Sequence, residues 1–100
     1  MVKHVILWTL KEECKGADFE KIKLGIKNNL EGLAGKIPGL IDIKVNINPL
    51  ETSNADVMLD SSFESFDALK GYAVHPEHVA VADGFVRPYT ASRTCMDFEA

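Results

Sequence analysis

Apolar and polar residues alternate without a break from Ile41 to Asn48, with Ile41, Ile43, Val45 and Ile47 on one side and Asp42, Lys44, Asn46 and Asn48 on the other. A period of two sends successive side chains to opposite faces, so this stretch predicts a strand with one buried face. Residues 3–10 (Lys-His-Val-Ile-Leu-Trp-Thr-Leu) are β-branched and aromatic with apolar residues on both faces, the pattern of a central strand covered on both sides. Between them the period changes. Behind a plausible N-cap at Asp18, the residues Phe19, Ile22, Ile26, Leu30, Leu33 and Ile37 recur at helical spacing, and Lys and Glu fill the opposite side. Gly25, Gly32 and Gly35 each cost such a helix about 1 kcal/mol against Ala, so packing must hold it and its last turn should fray. Ile37-Pro38-Gly39 is the stop signal.

After Pro49 and a polar loop, residues 56–63 predict a third strand with Val57, Leu59 and Phe63 on one face, paired with the second as a hairpin. Ser65 can cap a short helix containing Phe66, Leu69 and Tyr72. His75-Pro76 interrupts it, and a second short helix runs through Val79, Val81 and Phe85 to Pro88. Residues 92–99 form the last strand, with Thr94, Met96 and Phe98 alternating against Arg93, Cys95 and Asp97. The order is β-α-β-β-α-β, an α+β arrangement of ferredoxin-like type with an antiparallel sheet carrying both helical segments on one face. The first two strands are too apolar for the other face to meet water. A second copy laid sheet to sheet would cover it and make a barrel-like core.

One hundred residues make one small domain, 1–100, with no repeat or linker. A net charge of −4 with scattered Lys and Arg argues against a nucleic-acid partner, and Lys21, Lys23 and Lys27 beside Glu20 read as a solvated helix face. No apolar run approaches a membrane span, and the apolar start lacks a small-residue cleavage site, so it reads as strand rather than signal peptide. Cys14 and Cys95 have no metal spacing. In this fold they lie too far apart for a disulfide, and two free thiols fit a reducing cytoplasm.

The chemistry concentrates in Tyr72-Ala73-Val74-His75-Pro76-Glu77-His78. Pro76 suits the first turn of a helix, which places His75 near the N-cap and His78 near the third helical position. The partial positive charge there favours a neutral imidazole, which suits a general base. In the functional reading His78 takes a proton α to a carbonyl while the Tyr72 phenol donates to the developing enolate oxygen. His4, His75, Trp8 and Phe85, with Ile6 or Leu7, would line the pocket between helices and sheet. In the structural reading His75 caps a helix, His78 bonds a backbone group and Tyr72 is packed. The residues leave both open. His-Pro-Glu-His is not a zinc-protease spacing, and a third ligand would need His4 or Asp83 from elsewhere, so no metal is expected. Arg87 and Arg93 could meet an acidic ligand, but Asp97, Glu99 and Asp56 are near enough to be ordinary surface partners.

Several segments together resemble one known family, the stress-responsive dimeric α/β-barrel (Dabb) domain. They are residues 2–8, Ile37-Pro38-Gly39-Leu40, Asp56-Val57-Met58-Leu59, Phe63-Glu64-Ser65, the Tyr-x-x-His-Pro-x-His run, Phe85-Val86-Arg87-Pro88 and Asp97-Phe98-Glu99. The resemblance covers nearly the whole chain and implies a homodimer whose two sheets close a barrel. Most members have no assigned reaction. In a plant member, olivetolic acid cyclase, a linear polyketide is folded by aldol condensation without metal or cofactor. By that resemblance the base falls on His78, substrate holding on Tyr72, and His4 faces the same cavity. The first helix departs from that cyclase, carrying Gly25, Asn28, Asn29 and Gly32 where its alkyl pocket lies, so the substrate does not carry over. The expectation is a cytoplasmic homodimer with a pocket for a small aromatic or polyketide-like ligand and cofactor-free cyclase, lyase or isomerase chemistry. The alternatives are a non-catalytic stress-responsive binding or scaffold protein, and a small cofactor-free monooxygenase-like barrel.

Overall fold

A computed structural model describes residues 1–100. Strands β1 (Val2–Leu10), β2 (Leu40–Asn46), β3 (Val57–Phe63) and β4 (Thr90–Glu99) form one antiparallel sheet in the order β2-β3-β1-β4. Helices α1 (Phe19–Glu31), α2 (Phe66–Val74) and α3 (Pro76–Val81) connect them. The fold is the ferredoxin-like α+β arrangement expected from the strand and helix periods. Helix α1 ends at Glu31 in a run of turns, so the glycine-rich segment that the apolar spacing extends to Ile37 is not helical.

Side-chain parity sorts the sheet into two faces. Val2, His4, Ile6, Trp8 and Leu10 of β1 point toward the helices, together with Val45 of β2 and Val57, Leu59 and Phe63 of β3, and all are buried. Ile26, Leu30 and Leu33 close over them from the α1 side, Leu69 and Tyr72 from α2. The turn into β2 requires Gly39. Its φ is +80°, and an added Cβ would stand 2.5 Å from Ala68 Cβ on α2.

The other face carries Val5 and Leu7 of β1, Met58 of β3, and Met96 and Phe98 of β4, which pair across the strands in register. Leu7 is 40% exposed and Met96 67%, an apolar patch that the chain itself leaves uncovered. Lys3 bridges it to β3, pairing with Asp60 at 2.7 Å and donating to Ser62 Oγ at 2.9 Å.

On the lysine-rich side of α1, Glu20 and Lys21 are exposed as expected of a solvated face, but Lys23 and Lys27 are not. Lys23 is only 5% exposed, and its Nζ donates to the Ile47 carbonyl at 3.0 Å. Lys27 Nζ donates to the Val45 carbonyl at 2.7 Å, and the Val45 N–H donates to Glu31 at 2.9 Å. Strand β2 is a sheet edge, whose outward backbone groups need partners or charge to block further pairing. The charged face of α1 supplies both.

Candidate functional site

Helix α2 stops because His75 is extended (φ −66°, ψ 132°), as the residue before a proline must be, and α3 restarts at Pro76. Ser65 Oγ caps α2 by accepting the Ala68 N–H. At the break, His75 Nδ1 accepts the Glu77 N–H at 3.1 Å, so that ring serves as an N-cap. One turn later the His78 ring folds back over α2. Its Nδ1 lies 3.3 Å from the Ala73 carbonyl, and a carbonyl only accepts, so Nδ1 carries the hydrogen. In the neutral ring Nε2 is then the basic nitrogen. Burial lowers the His78 pKa. The bond to Ala73 opposes the shift, while the charges of Arg87, His4 and Arg93 add to it, so the ring is uncharged near pH 7.

Tyr72 lies against that imidazole, ring centroids 4.1 Å apart. It is 2% exposed, and its hydroxyl is buried with no hydrogen-bond partner. Burial raises its pKa strongly, partly offset by Arg93, so the phenol keeps its proton. Phe63 backs Tyr72 at 5.0 Å, and His4 meets it edge-on at 6.0 Å. His4, 7% exposed, pairs through Nδ1 with Asp97 of β4 at 2.5 Å. His78, Tyr72 and His4 border a cavity of about 130 Å³ under α2 and α3, walled by Ile6, Trp8, Leu69, Ala82 and Val86, with Arg87 and Arg93 as its cations.

His78, Tyr72, His4 and Trp8 therefore line one cavity; His75 and Phe85 do not. His75 is held by its capping bond. Phe85 is displaced by the backbone: after α3 the chain makes a π-helical turn, Ala82–Val86, closed by the Arg87 N–H on the Ala82 carbonyl at 2.8 Å. The added residue in that turn brings Ala82 and Val86 inward and sends Phe85 to a surface groove of about 490 Å³ with Leu24 and Tyr89. Leu7 is absent from the cavity because its parity puts it on the uncovered sheet face. A larger hollow of about 340 Å³ lies by the β2–β3 loop, lined by residues such as Asn46, Pro49 and Met58, and holds no histidine or tyrosine.

The acidic partners expected for Arg93 are engaged elsewhere. Asp97 bonds His4, Asp56 accepts the Leu10 N–H at 2.8 Å, and Glu99 faces the chain terminus. Arg87 pairs with Asp83 on its own turn. The Asp97 contact was the part least visible in the sequence, although the antiparallel register of β1 and β4 sets His4 directly opposite it. Cys95, two residues earlier, places Sγ 3.7 Å from His4 Nδ1. This trio is where three metal-ligating side chains meet, whereas His75 and His78 are each turned to a backbone group. The His4–Asp97 hydrogen bond already satisfies two of the three. Burial and the neighbouring Asp97 raise the Cys95 pKa, keeping it a thiol.

An antiparallel four-stranded sheet with its helices on one face and a small, partly polar cavity beneath them defines a ferredoxin-like α+β protein. The chain belongs to the stress-responsive A/B barrel domain family, which matches residues 2–100. A dimeric ferredoxin-like protein of unknown function from Bacteroides fragilis is 31% identical, with a TM-score of 0.90 over 99% of this chain and 95% of that one. A protein from Arabidopsis thaliana is 24% identical, TM-score 0.74, covering 100% and 95%. A hydroxynitrile lyase from Passiflora edulis shares the fold at 15% identity, TM-score 0.70, covering 97% and 90%. No curated protein sequence matches the chain.

Proposed function

We propose that this protein is a homodimeric acid–base catalyst of the lyase, cyclase or isomerase kind, acting on a small carbonyl compound without a cofactor. His78 is the base and Tyr72 the hydrogen-bond donor. The observation that carries this reading is the buried Tyr72 hydroxyl, left without a partner beside an imidazole whose Nδ1 is committed to Ala73. A buried hydroxyl with no partner costs stability, so its natural partner is a ligand. His78 Nε2 would take the proton from the carbon next to the carbonyl. The Tyr72 O–H would donate to the enolate oxygen as charge develops, and the imidazolium would return the proton at the end. His4, held by Asp97, lines the same cavity beside Tyr72 as a second polar contact.

Two further observations support the assembly and the setting. The uncovered apolar face with Leu7, Met96 and Phe98 suits a twin sheet, and the Bacteroides fragilis relative is dimeric. The lyase from Passiflora edulis shares only the fold, so its reaction lends no residue to this one.

The test is α-proton exchange. Cyclohexanone in D₂O, followed by proton NMR, should lose its α-hydrogens faster with the protein than without it. His78→Ala should slow the protein-dependent rate by about 10²–10⁴-fold, and Tyr72→Phe by about 10²-fold. Because the His78 pKa is lowered, the base form persists as pH falls through 6.5, and the rate should stay level there. Exchange no faster with the protein than without it would leave a non-catalytic binding protein as the reading, and protein-dependent exchange unchanged in both variants would remove His78 and Tyr72 from the reaction.

A further inference from the structure

The cavity has a charge pattern that a neutral carbonyl compound does not explain. The chain carries more acids than bases, 15 against 11, yet no Asp or Glu lines this cavity while two arginines do. Arg87 is neutralised by Asp83. Arg93 is not: it has no carboxylate within ion-pair distance, and the nearest candidate on its strand, Asp97, is held by His4 at 2.5 Å. Its position is set by register. Arg93 stands opposite Trp8 in the β1–β4 pairing, on the helix side of the sheet, so the guanidinium belongs to the cavity wall. Tyr72, whose buried hydroxyl has no partner, lines the same cavity.

We propose that the ligand of this cavity is a carboxylic acid no larger than a single ring, its carboxylate on Arg93 and its body against Trp8, with a polar atom at Tyr72 Oη. The inference rests on reading the cavity as a ligand site, as in the proposed function, but not on turnover. Size sets the first limit: about 130 Å³ is near the roughly 150 Å³ hollow that accepts benzene in an engineered protein core. Charge sets the second. One free guanidinium offers one charge and a planar fork of donors, which matches a carboxylate in bidentate fashion. A phosphate would bring nearly two charges to a wall with one uncompensated cation.

The experiment titrates the full-length protein with benzoate, its neutral isostere benzamide, and inorganic phosphate, following the His78 and Tyr72 ring resonances by NMR. Benzoate should bind about tenfold more tightly than benzamide, and Arg93→Gln should erase that difference. Arg87→Gln should keep most of the preference. The proposal is overturned if benzoate and benzamide bind alike, if the preference survives Arg93→Gln, if it follows Arg87 instead, or if phosphate binds more tightly than benzoate. A thermal melt of Arg93→Gln that matches wild type shows that lost binding is not lost folding. Benzoate selectivity without α-proton exchange would sink the catalytic reading alone; exchange without benzoate selectivity would sink this inference alone.

Discussion

The two edges of the sheet treat their polar groups in opposite ways. Along β2, α1 lies close enough for Lys23, Lys27 and Glu31 to reach the strand's outward backbone, so that buried donors and acceptors find partners inside the chain. Along β4 no helix performs that service. The strand is exposed from Ala91 onward, and around the cavity beside it the Tyr72 hydroxyl has no hydrogen-bond partner and Arg93 no carboxylate to pair with. The first edge is built for stability, since a satisfied buried network rigidifies what it joins. The second leaves hydrogen-bonding capacity unspent, the condition for a site that must accept something from outside.

If that contrast is right, substitutions at the two edges should separate stability from ligand handling. Glu31→Ala should give the largest loss of stability, about 1 kcal/mol in urea unfolding, because it strips the Val45 N–H of its acceptor and Lys27 of its counter-ion. It should not alter benzoate binding. The pH dependence follows from the same carboxylate. Burial alone would raise the Glu31 pKa, but the bonds from Lys27 and the Val45 N–H, with the charges of Lys27 and Lys44, hold it below its usual 4.5. Its contribution is therefore complete above 4.5 and is lost as pH falls through the lower folded value. Urea midpoints of wild type and Glu31→Gln, measured from about pH 6 to about pH 3, should converge toward the acid end. The smallest effect belongs to the β4 edge. Arg93→Gln removes no ion pair and should change stability by less than about 0.5 kcal/mol while changing which ligands bind. A larger loss in the melt would mean that Arg93 is structural.

Much of this was open to sequence reasoning where a single period governs the outcome. The period of two carries into the sheet at Ile43 and Val45, as the parity of His4 and Trp8 does, but not along all of residues 41–48: a register shift between Leu40 and Asp42 leaves Ile41 exposed, and β2 ends at Asn46. The proline after His75 decides where α2 ends and therefore where the His78 ring can fold back. Three features escaped because they depend on how elements meet. The π-helical turn shifts the register of one helix face by a residue, which moved Phe85 out of the cavity and Val86 into it. The buried state of Lys23 follows from the closeness of α1 to the β2 edge, which a polar residue in a helical pattern does not announce. And the freedom of Arg93 depends on Asp97 having been taken by His4 across the strand pair. The Tyr-x-x-His-Pro-x-His run is legible as chemistry in the chain, but that its tyrosine hydroxyl ends up buried and unpartnered is visible only in three dimensions.

The measurement that bears most directly on the account is the thermal unfolding of Tyr72→Phe without ligand. If the phenolic oxygen is waiting for an outside partner, deleting it removes a buried group whose hydrogen bond is unmade, and the melting temperature should hold or rise by the equivalent of up to about 1 kcal/mol. A melting temperature lowered by several degrees would show that the hydroxyl is already engaged in holding the fold, and the cavity would lose its claim to be a site.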